Sequence, residues 1–186
     1  FSSILPLMSE SIFQLESGKE TLTSQPLCWN SNIRCDCISV PFCQKTESFK
    51  LDMLLKEIVA RYEFNKVNLS INDTVTFIGR LNSIKRCITN ILNNAVLYGK
   101  ETNVILKKTM NNIVIFIDDD GPGIPDHEKE NVLKPFYRMD ESRSQNKSGV
   151  GLGLSIASDI IRSHGGNILL ETSPQKGLRV KISLPF

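Results

Sequence analysis

Apolar residues recur along the chain at two spacings, and together they predict a mixed α/β fold. Apolar runs with a period of two predict strands, at Val67 to Ile71, Thr74 to Ile78, Asn103 to Thr109, Ile113 to Ile117, Asn167 to Thr172 and Leu178 to Leu184. Apolar residues at helical spacing predict helices, at Phe49 to Val59, Leu81 to Leu97, Asp126 to Leu133 and Ser155 to Ser163. This order of elements favours a two-layer sandwich, in which one mixed sheet is covered on one face by three long helices.

The segment from Ile115 to Ile124 combines a strand with a candidate ligand site. Its apolar alternation stops at three carboxylates, Asp118 to Asp120, and the chain then turns through Gly121, Pro122 and Gly123. Glycine has no Cβ, so backbone at this turn can approach a ligand closely. A carboxylate at the end of such a strand can accept a hydrogen bond from a ligand amine. The segment alone fits a solvated turn equally well.

Two further segments have features suited to a nucleotide. Gly149 to Leu154 precedes a helical pattern, and a helix N-terminus presents free N–H groups to phosphate. Asn90 and Asn94 are four residues apart on a predicted helix, so both amides share one face. Amide oxygens are suitable ligands for Mg²⁺ that also contacts phosphates. The chain has no P-loop motif, and its glycine spacing differs from the dinucleotide fingerprint.

These segments resemble the four sequence boxes of the ATP-binding catalytic domain of two-component histidine kinases. The boxes correspond to Asn90 to Tyr98, Asp119 to Gly123, Lys134 to Arg138 and Gly149 to Leu154. The resemblance covers about Ser48 to Phe186 and is closest to the osmolarity sensor type represented by EnvZ. It implies the Bergerat-type ATP-binding fold, which agrees with the two-layer sandwich predicted from the periodicity.

The resemblance also implies a role for individual residues. Asp119 would accept the adenine amino group from a position on the rim of the fold, Asn94 would hold Mg²⁺ beside Asn90, and Phe136 would anchor an ATP lid. The catalytic residues implied are Asn90 and Asn94. The ATP-binding residues implied are Asn94, Asp119, Gly121, Gly123, Phe136, Arg143, Lys147, Gly149, Gly151, Leu152 and Gly153, and the metal ligand implied is Asn94.

Two stretches of this site leave alternatives open. The polar segment from Arg138 to Ser148 has no apolar period and corresponds to the lid, which we expect to be mobile until a ligand binds. Arg143 and Lys147 within it fit phosphate contacts and solvated charges equally well. Leu97 stands where the family commonly has a lysine or arginine, which puts one phosphate contact in doubt.

Composition bounds the class of protein. The 186 residues, 40% hydrophobic and 23% charged, are enough for one sizeable core. A formal charge of +2 gives no argument for nucleic acid or an anionic membrane as partner. No apolar run is long enough to span a bilayer. We expect a cytoplasmic domain whose parent sensor is anchored in the inner membrane.

Residues 1–47 form a separate and poorly defined segment, before a catalytic domain over 48–186. The segment is a candidate remnant of the dimerisation hairpin and linker. Four cysteines lie in it, at Cys28, Cys35, Cys37 and Cys43, without a C-x-x-C pair or a nearby histidine. Zinc binding is therefore disfavoured, and reduced thiols are expected.

The two histidines do not resemble a phosphoacceptor. His127 follows Pro125 and Asp126 at a predicted surface helix start, and His164 lies at a helix end, where a cation would meet the negative terminus. The resemblance therefore implies a domain that donates the ATP γ-phosphate to a histidine on a separate dimerisation domain, for relay to a response regulator aspartate. The alternatives are a non-catalytic ATP or ADP-binding module and a gyrase or Hsp90-like gate.

Overall fold

A five-stranded mixed sheet is the main element of the part of the chain that the structure describes. The computed structural model describes residues 45–63, 66–139 and 150–185. The sheet consists of β2 (Val67–Ile71), β4 (Thr102–Lys108), β5 (Asn112–Asp119), β6 (Asn167–Thr172) and β7 (Leu178–Pro185). Their spatial order is β2-β4-β5-β7-β6, with β2 and β4 parallel and the other pairs antiparallel.

Strand β5 lies in the middle of this sheet and extends further than its apolar pattern predicts. Alternate side chains of β5, at Ile113, Ile115 and Ile117, are almost completely buried in the core. The ladder with β4 continues past them and pairs Asp118 with Asn103 and Asp119 with Thr102. Two of the three carboxylates therefore belong to the strand, because backbone pairing continues although the apolar alternation has ended.

Three helices pack on one face of the sheet, as the sequence predicts. They are α1 (Leu51–Val59), α2 (Leu81–Tyr98) and α3 (Gly153–Arg162). Their apolar stripes share one core with the strands, and α2 alone contributes six buried residues, which are Ile84, Cys87, Ile88, Ile91, Leu92 and Ala95. Helix α3 begins two residues before the predicted start at Ser155, so its first turn contains Gly153.

Two predicted elements differ from the structure. Strand β1 (Glu47–Lys50) pairs with β3 (Thr76–Gly79) in a small separate sheet, so the helix predicted from Phe49 begins only at Leu51. Phe49 pairs there with Phe77 across the strands, with the rings edge-to-face at 5.8 Å. The predicted helix from Asp126 to Leu133 is instead two short 3-10 turns, because its residues are too little buried to stabilise a longer helix.

His164 connects the end of α3 to the start of α2. Its Nε2 accepts the backbone N–H of Arg80 at 3.1 Å, and its Nδ1 lies 2.7 Å from the carbonyl oxygen of Ile160. Since Nε2 accepts, Nδ1 carries the hydrogen and donates to Ile160, so the imidazole is neutral. The side chain of Arg80 also hydrogen-bonds to Ser163. The prediction of a structural role at the helix end fits this geometry, but the side chain is not held as a cation.

This geometry predicts that the unfolding free energy falls as pH decreases below the ordinary histidine range. Burial lowers the pKa of His164 from 6.5, the Ile160 carbonyl opposes this, and the Arg80 charge lowers the pKa further. The unfolded chain therefore takes up a proton at His164 before the folded chain does, which favours unfolding at lower pH. We expect His164→Gln to reduce the slope of stability against pH in denaturant titrations between about pH 7 and 5.

The matched control is His127→Gln, because the side chain of His127 is 79% exposed. The control should retain the slope of the unmodified chain. Equal slopes in the His164 and His127 variants would contradict the proposed neutral state of His164.

Candidate functional site

A cavity of about 450 Å³ lies between α2, the end of β5 and the start of α3. Its walls are mostly apolar, and a few polar groups face it, as is usual for a small-molecule site. The described residues that line it are Arg86, Asn90, Asn93, Asn94, Leu97, Tyr98, Asp119, Pro122, Gly123, Ile124, Val132, Tyr137, Arg138, Met139, Val150, Gly151, Leu152, Gly153, Leu154, Ile156 and Leu178.

Asp119 lies at one end of the cavity and is fixed by the backbone around it. Its Oδ1 accepts the N–H groups of Gly121, at 2.9 Å, and Leu178, at 3.0 Å. Its own carbonyl oxygen accepts a hydrogen bond from Ser173 Oγ at 2.7 Å. The residue is only 5% exposed, so the prediction that it is a rim carboxylate is wrong. Pairing with β4 and contact with the β6–β7 turn bury it.

The backbone hydrogen bonds of Asp119 occupy one carboxylate oxygen and leave the other available for a ligand. Burial raises the pKa of this carboxyl, because the charged form is disfavoured away from water. The N–H groups of Leu178 and Gly121 lower the pKa, and the charges of Asp120 and Asp118 raise it. Both of these N–H groups bind Oδ1, and Oδ2 accepts no hydrogen bond from the described residues. Oδ2 is therefore suited to accept an N–H from a ligand.

Gly177 makes the close approach to Asp119 that this arrangement requires. A Cβ added at Gly177 would lie 2.2 Å from the carbonyl oxygen of Asp119 and 2.6 Å from its Oδ1. The N–H of Gly177 also donates to Ser173 Oγ at 2.9 Å. Sequence reasoning missed both Gly177 and Ser173 as supports of the site, because they lie more than 50 residues from Asp119 along the chain.

The two neighbouring carboxylates have different partners. Asp118 points to the opposite face of the sheet, where Arg179 Nε and Nη2 each donate to it at 2.7 Å. Asp120 Oδ1 accepts the backbone N–H groups of Lys100, at 2.6 Å, and Glu101, at 3.0 Å, and these bonds lower the pKa of Asp120. Only Asp119 of the three lines the cavity.

The first glycine segment lies beside Asp119, as predicted. Gly123 lines the cavity and has a φ of +71°, which glycine adopts without strain. Gly121 contributes through its N–H to Asp119 and is not itself a lining residue.

One face of α2 supplies the polar wall of the cavity. Asn90 and Asn94 both line it, one helical turn apart, as their spacing predicts. A Cβ added at Gly153 would lie 3.3 Å from Nδ2 of Asn94, so this amide is next to the first turn of α3. Asn93 also lines the cavity, and its Oδ1 accepts a hydrogen bond from Tyr62 at 2.8 Å.

The second glycine segment and the predicted lid anchor contact each other directly. Phe136 N–H donates to the carbonyl oxygen of Gly151 at 3.0 Å, and a Cβ at Gly151 would lie 2.7 Å from the carbonyl oxygen of Tyr137. Gly151, Leu152 and Gly153 line the cavity at the N-terminus of α3. The side chain of Phe136 does not line it and is 68% exposed, so this residue contacts the site through its backbone.

Several predicted residues fall outside the described ranges, and several lining residues were not predicted. Arg143, Lys147, Gly149 and the four cysteines of residues 1–44 lie outside the described residues. The unpredicted residues include Arg86, which lies eight residues before Asn94 and so shares its helical face. That spacing was the available signal for Arg86. Apolar lining residues such as Val132 and Ile156 carry no comparable signal.

Comparison with known proteins agrees with this geometry. The family described as "Histidine kinase-, DNA gyrase B-, and HSP90-like ATPase" matches residues 79–186. The sensor histidine kinase GtrS of Pseudomonas aeruginosa is 35% identical over 143 residues, which cover 76% of this chain and 29% of GtrS. The sensor histidine kinase CpxA of Escherichia coli is 34% identical over 149 residues, which cover 76% of this chain and 33% of CpxA.

Solved structures show the same likeness. The ATP-binding domain of PrrB from Mycobacterium tuberculosis is 26% identical with a TM-score of 0.62, over 75% of this chain and 96% of that domain. The histidine kinase domain of the Escherichia coli osmosensor EnvZ is 30% identical with a TM-score of 0.58, over 75% of this chain and 88% of that domain.

The two-layer fold and the cavity between α2 and α3 define a Bergerat-type ATP-binding domain. The chain belongs to the family of histidine kinase-, DNA gyrase B- and HSP90-like ATPases, and within it to the ATP-binding catalytic domains of sensor histidine kinases. It spans about a third of the length of GtrS and CpxA. Within the described ranges, no helix combines the length and apolar character needed to cross a bilayer.

Because Gly177 lies so close to Asp119, one methyl group added at Gly177 should lower the unfolding free energy of the domain. Gly177→Ala forces the β6–β7 turn away from Asp119, and we expect it to lower the unfolding free energy by about 2 kcal/mol, as overpacking does. Denaturant titration measures this change. Gln175→Ala, an exposed position of the same turn, is the control and should stay within about 0.5 kcal/mol of the unmodified chain. A Gly177 variant as stable as the control would contradict the role assigned to this contact.

Proposed function

We propose that this domain binds ATP with Mg²⁺ and donates its γ-phosphate to a histidine on a separate dimerisation domain, for relay to an aspartate of a response regulator. One observation carries the proposal. The cavity has a buried carboxylate with an available oxygen at one end, and the Asn94 amide with the N-terminus of α3 at the other. A nucleotide presents complementary groups in the same order, an amine on its base and an anionic chain of phosphates.

Asp119 would recognise the base of the nucleotide. We assign its Oδ2 to the exocyclic amine of adenine, because a carboxylate oxygen accepts this N–H and rejects a carbonyl at the same position. The bonds from Gly121 and Leu178 fix the direction of that oxygen before a ligand arrives. Gly123 lets the base approach the backbone beside it.

The amides of α2 would hold the metal ion. Among the described residues, no group of three or more His, Cys, Asp or Glu side chains is placed to hold a metal. A Mg²⁺ ion is commonly bound by a few protein oxygens together with substrate phosphates and water. We assign one of these oxygens to Asn94 and place Asn90 beside it. When bound, the ion would neutralise phosphate charge.

The N-terminus of α3 would bind the phosphates. Gly151, Leu152 and Gly153 place backbone at this helix N-terminus, whose positive end favours an anion. Phosphoryl transfer needs mainly positioning and charge neutralisation from a protein, and these groups are suited to both. The lid contacts of Arg143, Lys147 and Gly149 stay predictions.

The nucleophile is assigned to another domain because neither histidine of this chain is suited to it. Both ring nitrogens of His164 are engaged by backbone groups within the fold. His127 is exposed at a 3-10 turn, with its Nε2 3.7 Å from Glu128, and it does not line the cavity. The family relationship supports a dimerisation domain and a response regulator as partners, and a cytoplasmic location stays a prediction.

Two other functions give different expectations for the same site. A non-catalytic ATP or ADP-binding module would keep the cavity but transfer nothing, and Leu97 in place of a cation is the feature that favours it. A gyrase-like or Hsp90-like gate would need a catalytic glutamate in α2, where this chain has Asn90.

Substitutions at the two ends of the cavity should separate base recognition from metal binding. Asp119→Asn replaces an acceptor with an N–H donor toward the base, and we expect about 10- to 100-fold weaker ATP binding with or without Mg²⁺. Asn94→Ala should lose chiefly the part of the affinity that depends on Mg²⁺. Isothermal titration with and without Mg²⁺ measures both, and each variant is the control for the other. The same metal dependence in both variants would contradict these assignments.

Phosphotransfer tests the proposed function itself. The full chain is incubated with ATP labelled at the γ-phosphate, alone and with a separate dimerisation hairpin that carries an acceptor histidine. We expect acid-labile label on the hairpin only, and none when that histidine is replaced. Label on the chain that His127→Ala or His164→Ala abolishes would overturn the proposal. Tight ATP binding with an unlabelled hairpin would favour the non-catalytic module.

A further inference from the structure

Arg86 is a cation of the cavity wall to which the function proposed above gives no role. It lines the cavity, and its side chain is exposed. It lies four residues before Asn90 and eight before Asn94, so the three side chains lie along one face of α2 at successive turns. Within the described part of the chain, Arg86 forms no ion pair. Its neighbour Lys85 is bound to Glu57 at 2.7 Å and does not line the cavity.

The contacts of α2 show which part of the cavity Arg86 faces. At the C-terminal end of α2, a Cβ built on Gly99 would lie 3.0 Å from Cβ of Asp119, so this end is next to the residue to which the base is assigned. Asn94 adjoins the start of α3 at Gly153, where the phosphates are assigned. Arg86 lies about 12 Å further along the helix than Asn94, on the side away from Asp119.

Along this face of α2, positive charge appears only at the end away from Asp119. Leu97, three residues after Asn94, is apolar, 42% exposed and contributes no charge to the cavity. The two asparagines are neutral, and Arg86 is the one cation that α2 places on the cavity wall. Arginine stays protonated and presents several N–H donors in a fixed plane, which match the oxygens of a phosphate.

We propose that Arg86 contacts the terminal phosphate of ATP and makes the site bind ATP in preference to ADP. The inference rests on the proposed nucleotide orientation, with the base at Asp119 and the phosphates at α3. A nucleotide in that orientation directs each additional phosphate away from Asp119 and toward Asn90 and Arg86. ADP ends before this position, so the guanidinium gains a partner only from the third phosphate.

The experiment compares ATP and ADP affinities of the full chain with Mg²⁺ by isothermal titration. Arg86→Gln removes the charge from an exposed position and should weaken ATP binding about tenfold, while ADP binding changes less than about twofold. Arg86→Lys keeps a cation and should retain part of the preference for ATP. Lys85→Gln is the matched control, because it removes the same charge from the adjacent residue outside the cavity and should leave the ratio of affinities unchanged.

Three results would overturn this proposal alone. Equal losses for ATP and ADP in Arg86→Gln would place Arg86 away from the terminal phosphate, and unchanged affinities would show that it is a solvated surface cation. An equal change of the ratio in Lys85→Gln would show a general charge effect. In each case, ATP binding that still depends on Asp119 leaves the proposed function standing. An unmodified chain that binds neither nucleotide would overturn both.

Discussion

The short contact between the β6–β7 turn and the end of β5 is the constraint on which the site depends. The contact buries the Asp119 carboxylate and brings the N–H of Leu178 to its Oδ1, which also accepts the N–H of the nearby Gly121. These donors partly offset the energetic cost of removing the charge from water. Gly177 and Ser173 allow the approach. The carboxylate direction is therefore set by the fold, and a ligand meets an acceptor that needs little reorganisation.

Helix α2 joins the two ends of the cavity and is itself fixed at both of its ends. At its C-terminus, Asp120 holds the following loop through two backbone N–H groups. At its N-terminus, His164 accepts the N–H of Arg80 and so joins the start of α2 to the end of α3. Asn94 projects between these fixed points against the first turn of α3. The relative position of the amide and the helix N-terminus is thus a property of the packed core.

Features that depend on local periodicity could be predicted from the sequence, and features that depend on distant contacts could not. The apolar stripe of α2 correctly predicted its bounds to within one residue, and the spacing of its asparagines placed both on the cavity. The burial of Asp119 arises from its pairing with Thr102 in β4 and from the β6–β7 turn more than 50 positions away, so its own segment could not reveal it. Phe49 continued an apolar pattern of α1 and yet lies in β1, because its partner Phe77 is in β3.

Three identical side chains in a row have three separate uses, and the alternation of a strand explains why. Asp118 and Asp119 are both in β5, so they point to opposite faces of the sheet. Asp118 faces away from the helices and pairs with Arg179, whereas Asp119 faces the cavity. Asp120 follows the end of the ladder and is free to bind the loop after α2. Shifting the register by one residue would exchange the first two environments and bring the buried, ion-paired Asp118 into the cavity in place of Asp119. The pairing of β5 with β4 and β7 therefore decides which carboxylate can recognise a ligand.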